Sequence, residues 1–397
     1  MSTRIQSIDI FRGLTILTMV FVNDLAGVSN LPGWMKHALD DSNSMTFVDV
    51  VFPAFLFIVG MSIPLALQRR RTRGASTAAL WSHVLIRFAG LLVLGIFMVN
   101  IGRLNPDLTG MDRHVWSTLF FLGAIAAWAQ PPELSGKKRT AWRLVRIAGF
   151  VLIAGLAIIY RSGDAVSPGW MQTQWWGILG LIGWAYLVCS AAFLLLGANI
   201  PALTAMLALS VCLYIGDKAG ALTFLGPVNN VLWIGGHIGG HVSIATAGMI
   251  AGLLFDPSTS VPTARGKVCW LTGMAVTLAC AGYLLSPLHG ISKNLATPTW
   301  SLYSAAICCL VFLVLYWIAD LRRRGSIFDF AEPAGANPLL AYLLPDIFYG
   351  ILAIVGIGHL WGSIGSGIPG IARSLVFSLV IVWLTGRLTR LGLRLKL

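Results

Sequence analysis

The residue best placed to do chemistry is His37. It stands in a polar stretch from Asn23 to Asp49 that reads NDLAGVSNLPGWMKHALDDSNSMTFVD, with Lys36 beside it and Asp40, Asp41 and Asp49 within a dozen residues. Imidazole titrates near neutral pH, and a neighbouring carboxylate raises its basicity and fixes its tautomer, which suits a general base. Asp49 comes just before a continuous apolar run. There the positive end of a helix would stabilise it, and an acid held inside a membrane marks a functional site. Asn23 ends the preceding apolar run, where an amide either caps a helix or bonds across to a neighbouring one.

Other residues have spacings that could hold a ligand. Asp9 and Arg12 are three apart, one helical turn, and make either an intrahelical ion pair or an anchor for the phosphates of a cytosolic ligand. Lys293 and Asn294 sit in a polar loop before an apolar run. Asn337 precedes Pro338, the pattern of a helix N-cap with proline in the first turn. His237 and His241 are four apart in GGHIGGH. Four-residue spacing puts two ligands on one helix face, but so much glycine makes a poor helix, and no metal site is expected.

The elements that must position these residues are membrane helices. The chain has 397 residues, 57% hydrophobic and only 11% charged, with a mean hydropathy of +0.80. Average soluble domains carry about 25% charged residues. Apolar spans are expected near 8–26, 47–67, 83–101, 115–130, 145–161, 175–197, 202–216, 241–255, 268–286, 300–319, 337–357 and 371–391. In lipid the backbone must satisfy its own hydrogen bonds, so all should be helices, giving an all-α polytopic bundle of about twelve. Placing the N-terminus in the cytoplasm puts 21 of the 28 Lys and Arg residues inside and seven outside. That asymmetry follows the positive-inside rule and predicts both ends inside and the Asn23–Asp49 hairpin outside. Basic residues scattered over short loops explain the net charge of +13 and argue against a nucleic-acid partner. The six cysteines all fall in apolar runs with no metal-ligand spacing, and no cleavable leader is expected at the start.

Four stretches carry a family likeness: SIDIFRG (Ser7 to Gly13), MVFVN (Met19 to Asn23), KHA (Lys36 to Ala38) and DVVFPAFLFIVGMSI (Asp49 to Ile63). Together they resemble the heparan-α-glucosaminide N-acetyltransferase family of transmembrane acetyltransferases and its bacterial relatives. Weaker matches are GILGLIGWAY (Gly177 to Tyr186), KNLATPTWSL (Lys293 to Leu302) and GANPLLAYL (Gly335 to Leu343). The resemblance implies a single acyltransferase domain over residues 1–397, with the signature and catalytic hairpin in 1–67. It implies acetyl-CoA as acetyl donor, no metal, and an amino sugar as acceptor. His37 falls on the family's catalytic histidine and Asn23 on its partner asparagine. Asp49, Asp24, Lys293 and Asn294 become substrate contacts, and Asp9, Arg12 and Asn337 contacts to CoA. Two departures stand out. Gly180-Leu181 replaces the family's Gln-Arg, and a helical hairpin near 115–161 reads as inserted. The resemblance further implies a homodimer, and the short loops suit a bacterial inner membrane. A secondary transporter of amino sugars is the alternative, with the same helix count but without the internal repeat such folds often carry.

Overall fold

A computed structural model describes residues 5–39, 42–130, 137–256, 261 and 263–397. Arg4, Asp40 and Asp41 fall outside the described residues, as do the side chains of residues 137–139.

Each of the twelve expected spans falls on a helix. In chain order these are α1 (Gln6–Leu25), α2 (Val48–Thr72), α3 (Thr77–Asn100), α4 (Arg113–Trp128), α5 (Lys137–Ile159), α6 (Gly177–Leu196), α7 (Ile200–Lys218), α8 (Val242–Leu253), α9 (Ala264–His289), α10 (Pro298–Tyr316), α11 (Pro338–Val355) and α12 (Gly367–Arg390). Among the described residues, nine helices are long and apolar enough to cross a membrane. The three outside that set have visible reasons. Polar residues including Asp9 and Arg12 dilute α1, α4 has 16 residues, and α8 has 12 but continues a π-helical stretch, Ile234–His241. The protein is an all-α polytopic membrane protein. Its described strands are two-residue pairs, such as Ala129–Gln130 with Arg394–Leu395.

The chain divides into two compact units, and three of the five division points fall inside α1, α3 and α6. The first unit runs through Thr15 and adds Pro32–Ala89 and Leu181–Phe328. Its centre is the pairing of α2 with α8. A Cβ at Gly60 would strike the Ala245 carbonyl, and one at Gly248 would strike that of Phe57. With little hydrophobic drive between helices in lipid, such backbone-to-backbone approach supplies the van der Waals contact that holds them. Phe57, Leu56, Ile58 and Met61 are fully buried around it. The start of α1 is capped from far along the chain: the Gln6 and Ser7 amides donate to the two carboxylate oxygens of Asp320, each at 3.0 Å. This answers the N–H groups that a helix leaves unpaired at its first turn. The GGHIGGH stretch is helical after all, in the wider π form, where sequence alone argued for a poor helix.

The second unit comprises Ile16–Leu31, Gly90–Gly180 and Asp329–Leu397. Here α4 and α5 pack on each other, and the Trp116 indole, fully buried, donates to the Leu156 carbonyl at 3.1 Å. Gly180 gains a physical reason: a Cβ on Gly95 would run into its amide, so the two helices meet there by their backbones. Asn337 stands at the N-cap position of α11 with proline following, as expected, but its side chain does not cap. It donates to Thr389 Oγ1 at 3.0 Å and the Leu393 carbonyl at 2.9 Å, and accepts from the Leu395 amide at 3.2 Å.

The Gly248 contact is testable. Gly248→Leu should destabilise the protein by about 3 kcal/mol or more through overpacking, seen as a lowered unfolding temperature in detergent. Gly273→Leu, where nothing lies within 4 Å of the new Cβ, should be close to neutral.

Candidate active site

The polar hairpin folds back onto the first turn of α2. A short 3₁₀ turn, Gly33–Met35, buries Met35 and turns the chain into Lys36 and His37. Thr46 Oγ1 then donates to the Lys36 carbonyl at 2.7 Å and closes the loop. The closure is completed by Asp49, whose side chain is only 1% exposed. Its Oδ2 accepts from the Ala38 amide at 3.1 Å and the Thr46 amide at 3.0 Å, the latter being half of a capping box. Its Oδ1 lies 2.7 Å from His37 Nδ1. The Ala38 and Thr46 N–H groups need this carboxylate as an acceptor, which puts the proton of the pair on His37 Nδ1 and the lone pair on Nε2. The His37 side chain is 48% exposed, so the imidazole is reachable while the carboxylate beside it is not.

Lys293 arrives from a separate part of the chain. Its loop is a tight turn in which the Ala296 amide donates to the Lys293 carbonyl at 3.0 Å and Ala296 takes a left-handed φ of 48°. Thr297 closes the turn through its amide to the Ser292 carbonyl, 3.1 Å, and its side chain caps α10 at the Trp300 amide. Two links bring this loop to the hairpin. The Ile291 amide donates to Asn43 Oδ1 at 2.7 Å, and the buried Trp300 indole donates to the Asp49 carbonyl at 3.1 Å. The Lys293 ammonium then sits 3.2 Å from His37 Nδ1 and 3.3 Å from Nε2. Burial pulls the Lys293 pKa below the ordinary lysine value, and the Asp49 charge opposes that shift. Beneath these residues the His241 ring packs edge-on against Phe52 and Trp300, with His237 stacked on it at 5.7 Å. Neither histidine's Nδ1 has a hydrogen-bond partner among the described residues.

The other expected site residues divide between the units. In the first, Asn294 is exposed beside Lys293. Arg12 bonds to Asp9 at 3.2 Å, the i,i+3 pair expected, and to Ser62 Oγ at 2.9 Å. In the second, Asn23 is exposed near the end of α1, and Asp24 beside it is buried. The Asp24 carboxylate accepts from Tyr349 Oη at 2.5 Å, Trp361 Nε1 at 3.2 Å, Arg373 Nη2 at 3.1 Å and Ser374 Oγ at 2.5 Å. That set uses every lone-pair direction a carboxylate offers. Asn337, fully bonded as described, lies in the same unit. Sequence reasoning missed Thr46, Trp300 and the donors around Asp24. Thr46-x-x-Asp49 is a readable capping pattern, whereas the rest are contacts between residues more than 200 apart.

Residues 4–174 match a family model described as a domain of unknown function, DUF5009. The chain is 26% identical over 379 residues, 86% of its length, to heparan-alpha-glucosaminide N-acetyltransferase of Mus musculus. It is 33% identical over 150 residues, 36% of its length, to the Homo sapiens protein of that name. The chain is thus similar in sequence to the heparan-alpha-glucosaminide N-acetyltransferases. It matches 53% of the mouse relative's length and 22% of the human one's. The DUF5009 match includes α1 to α5, so it takes in both the His37–Asp49 pair and the α4–α5 hairpin.

The two aspartate settings predict different costs. Asp24→Ala should lower stability by about 3–5 kcal/mol, because it strands a buried guanidinium. Asp9→Ala, which breaks a partly exposed pair, should cost about 0–1 kcal/mol. Thermal unfolding of the two purified variants checks both values.

Proposed function

We propose that this chain is a transmembrane N-acetyltransferase. It moves an acetyl group from acetyl-CoA, supplied from the cytoplasm, to the amino group of a glucosamine-type sugar on the outer side. The observation that carries this reading is the His37–Asp49 pair, with a buried acid and a reachable base whose Nε2 faces the Lys293 ammonium at 3.3 Å, inside the stretch with the strongest family resemblance.

The chemistry needs a neutral amine, a polarised thioester and somewhere to put one proton. His37 Nε2 takes the proton as the sugar nitrogen bonds to the acetyl carbonyl carbon. Asp49 steadies the imidazolium that forms. When the carbon–sulfur bond breaks, Nε2–H returns the proton to the thiolate, leaving CoA thiol and the acetamide. The Lys293 ammonium is within a small movement of an oxyanion formed beside Nε2. Asn23 is proposed as the partner amide on the resemblance alone. Asn294 is assigned to the sugar, and Asp9 and Arg12 to CoA phosphates. Asp24 and Asn337, buried and fully bonded, serve by holding shape. An inner-membrane location, both termini in the cytoplasm and a homodimer belong to the same proposal.

In proteoliposomes with labelled acetyl-CoA and glucosamine on opposite sides, His37→Ala should lower kcat by about 10²–10⁴. Asp49→Asn should lower it by a similar factor through loss of the tautomer. Acetyl-CoA-independent uptake of intact amino sugar, unchanged in both variants, would instead make the chain a transporter. A labelled protein trapped without sugar would make His37 an acetyl carrier.

Lys293 predicts a pH effect. Its charged form is the useful one, and its pKa lies below the ordinary value of 10.5, so the rate should fall on the alkaline side earlier than an ordinary lysine allows. Lys293→Arg, always charged, should remove that limb within the measurable range. The stability sign is opposite. The unfolded chain holds the lysine proton more tightly, so wild-type stability should rise as pH climbs from the folded-state pKa towards 10.5.

A further inference from the structure

A groove of about 580 Å³ lies between α9 and α10. Its mouth is made by Asn43, Ser44 and Ile291, and its walls include Ala279, Tyr303 and Leu310. Three features separate it from an ordinary crevice between helices.

The first is where it begins. Asn43 and Ile291 are the two residues whose 2.7 Å hydrogen bond ties the His37 hairpin to the Lys293 loop. The mouth therefore opens on the two segments that carry the proposed catalytic groups. The second is where it ends. Leu310 is twelve residues into α10, about 18 Å along the axis at 1.5 Å per residue. That depth is more than half of a hydrocarbon core about 30 Å thick. The third is its chemistry. The mouth carries an amide and a hydroxyl, whereas the walls are almost wholly apolar, and Leu310 on the open side is half exposed. A sugar or a CoA arm gains little from such walls. A hydrocarbon chain with a polar head at the hairpin fits both ends.

We infer that the acceptor is a lipid-borne amino sugar, whose chain lies in the α9–α10 groove while its amine meets His37. This rests on the proposed acetyl transfer and specifies its acceptor. The groove takes the place of neighbouring lipid around the chain and fixes where its head group sits. It also spares the acceptor a search through the aqueous phase, since the chain slides in from the bilayer. The reaction that supplies this substrate must therefore be one that leaves a free amine on a membrane-anchored sugar.

The test uses the full chain in nanodiscs, with decyl glucosaminide bearing a free 2-amine compared against free glucosamine. The alkyl acceptor should show a KM at least tenfold lower. Ala279→Phe and Leu310→Trp, which fill the groove from opposite helices, should each raise the alkyl KM towards that of glucosamine and leave the kinetics with glucosamine unchanged. Equal KM values for the two acceptors in the wild type, or no response to either substitution, would overturn the inference and leave the acetyltransferase reading standing. If neither acceptor is acetylated, that reading fails on its own. The groove is then judged by photolabelling with a diazirine-bearing decyl glucosaminide. Labelling of α9 and α10 that excess unlabelled glucosaminide displaces supports the site. Labelling displaced equally well by phospholipid identifies a passive lipid cleft and overturns it.

Discussion

The first unit depends on one buried carboxylate. Asp49 gathers the hairpin by accepting from Ala38, Thr46 and His37, and its own carbonyl receives the Trp300 indole, which seats α10. Hydrogen bonds to a charged acceptor are about twice as strong as neutral ones, and low local polarity makes each unmade one costly. A loop that would otherwise trail in solvent is therefore drawn onto a helix end. One oxygen of this carboxylate holds the loop and the other faces the His37 ring, so in the proposed reaction folding and chemistry rest on one side chain.

Asp24 shows the alternative fate of a buried acid in this chain. Two of its four donors are hydroxyls 2.5 Å away and a third is a guanidinium lying over the Trp361 ring at 4.8 Å. Every donor is a side chain from α11, α12 or the segment between them, and no group is left to meet a ligand. Asp49 instead spends one oxygen on a ring that is half open. The difference lies in the partners, since the two carboxylates are alike.

Much of this was legible in the sequence because lipid allows few solutions. Twelve apolar spans could only be helices, and each is one. The Asp9–Arg12 pair follows from helical spacing, and the closeness of His37 to Asp49 follows from a short loop. Long-range partners left no such trace. Nothing in KNLAT announces that Lys293 will touch His37, since a 2.7 Å bond between Asn43 and Ile291 decides it. Asn337 looked like a cap because a local rule fits it, and the tail at Leu393 and Leu395 claimed its amide instead. GGHIGGH looked too rich in glycine for a helix. Gly240 needs that freedom of space, since a Cβ there would strike the Ala296 carbonyl.

The cap on α1 has a consequence for biosynthesis. Gln6 and Ser7 donate to Asp320, which follows them by more than 300 residues. A ribosome adding roughly 5–20 residues per second takes on the order of 15–60 s to make that interval. For that time the leading turn of the first helix has no permanent partner, and only water or a lipid headgroup can satisfy its amides. The SIDIFRG stretch is thus made well before the residue that caps it.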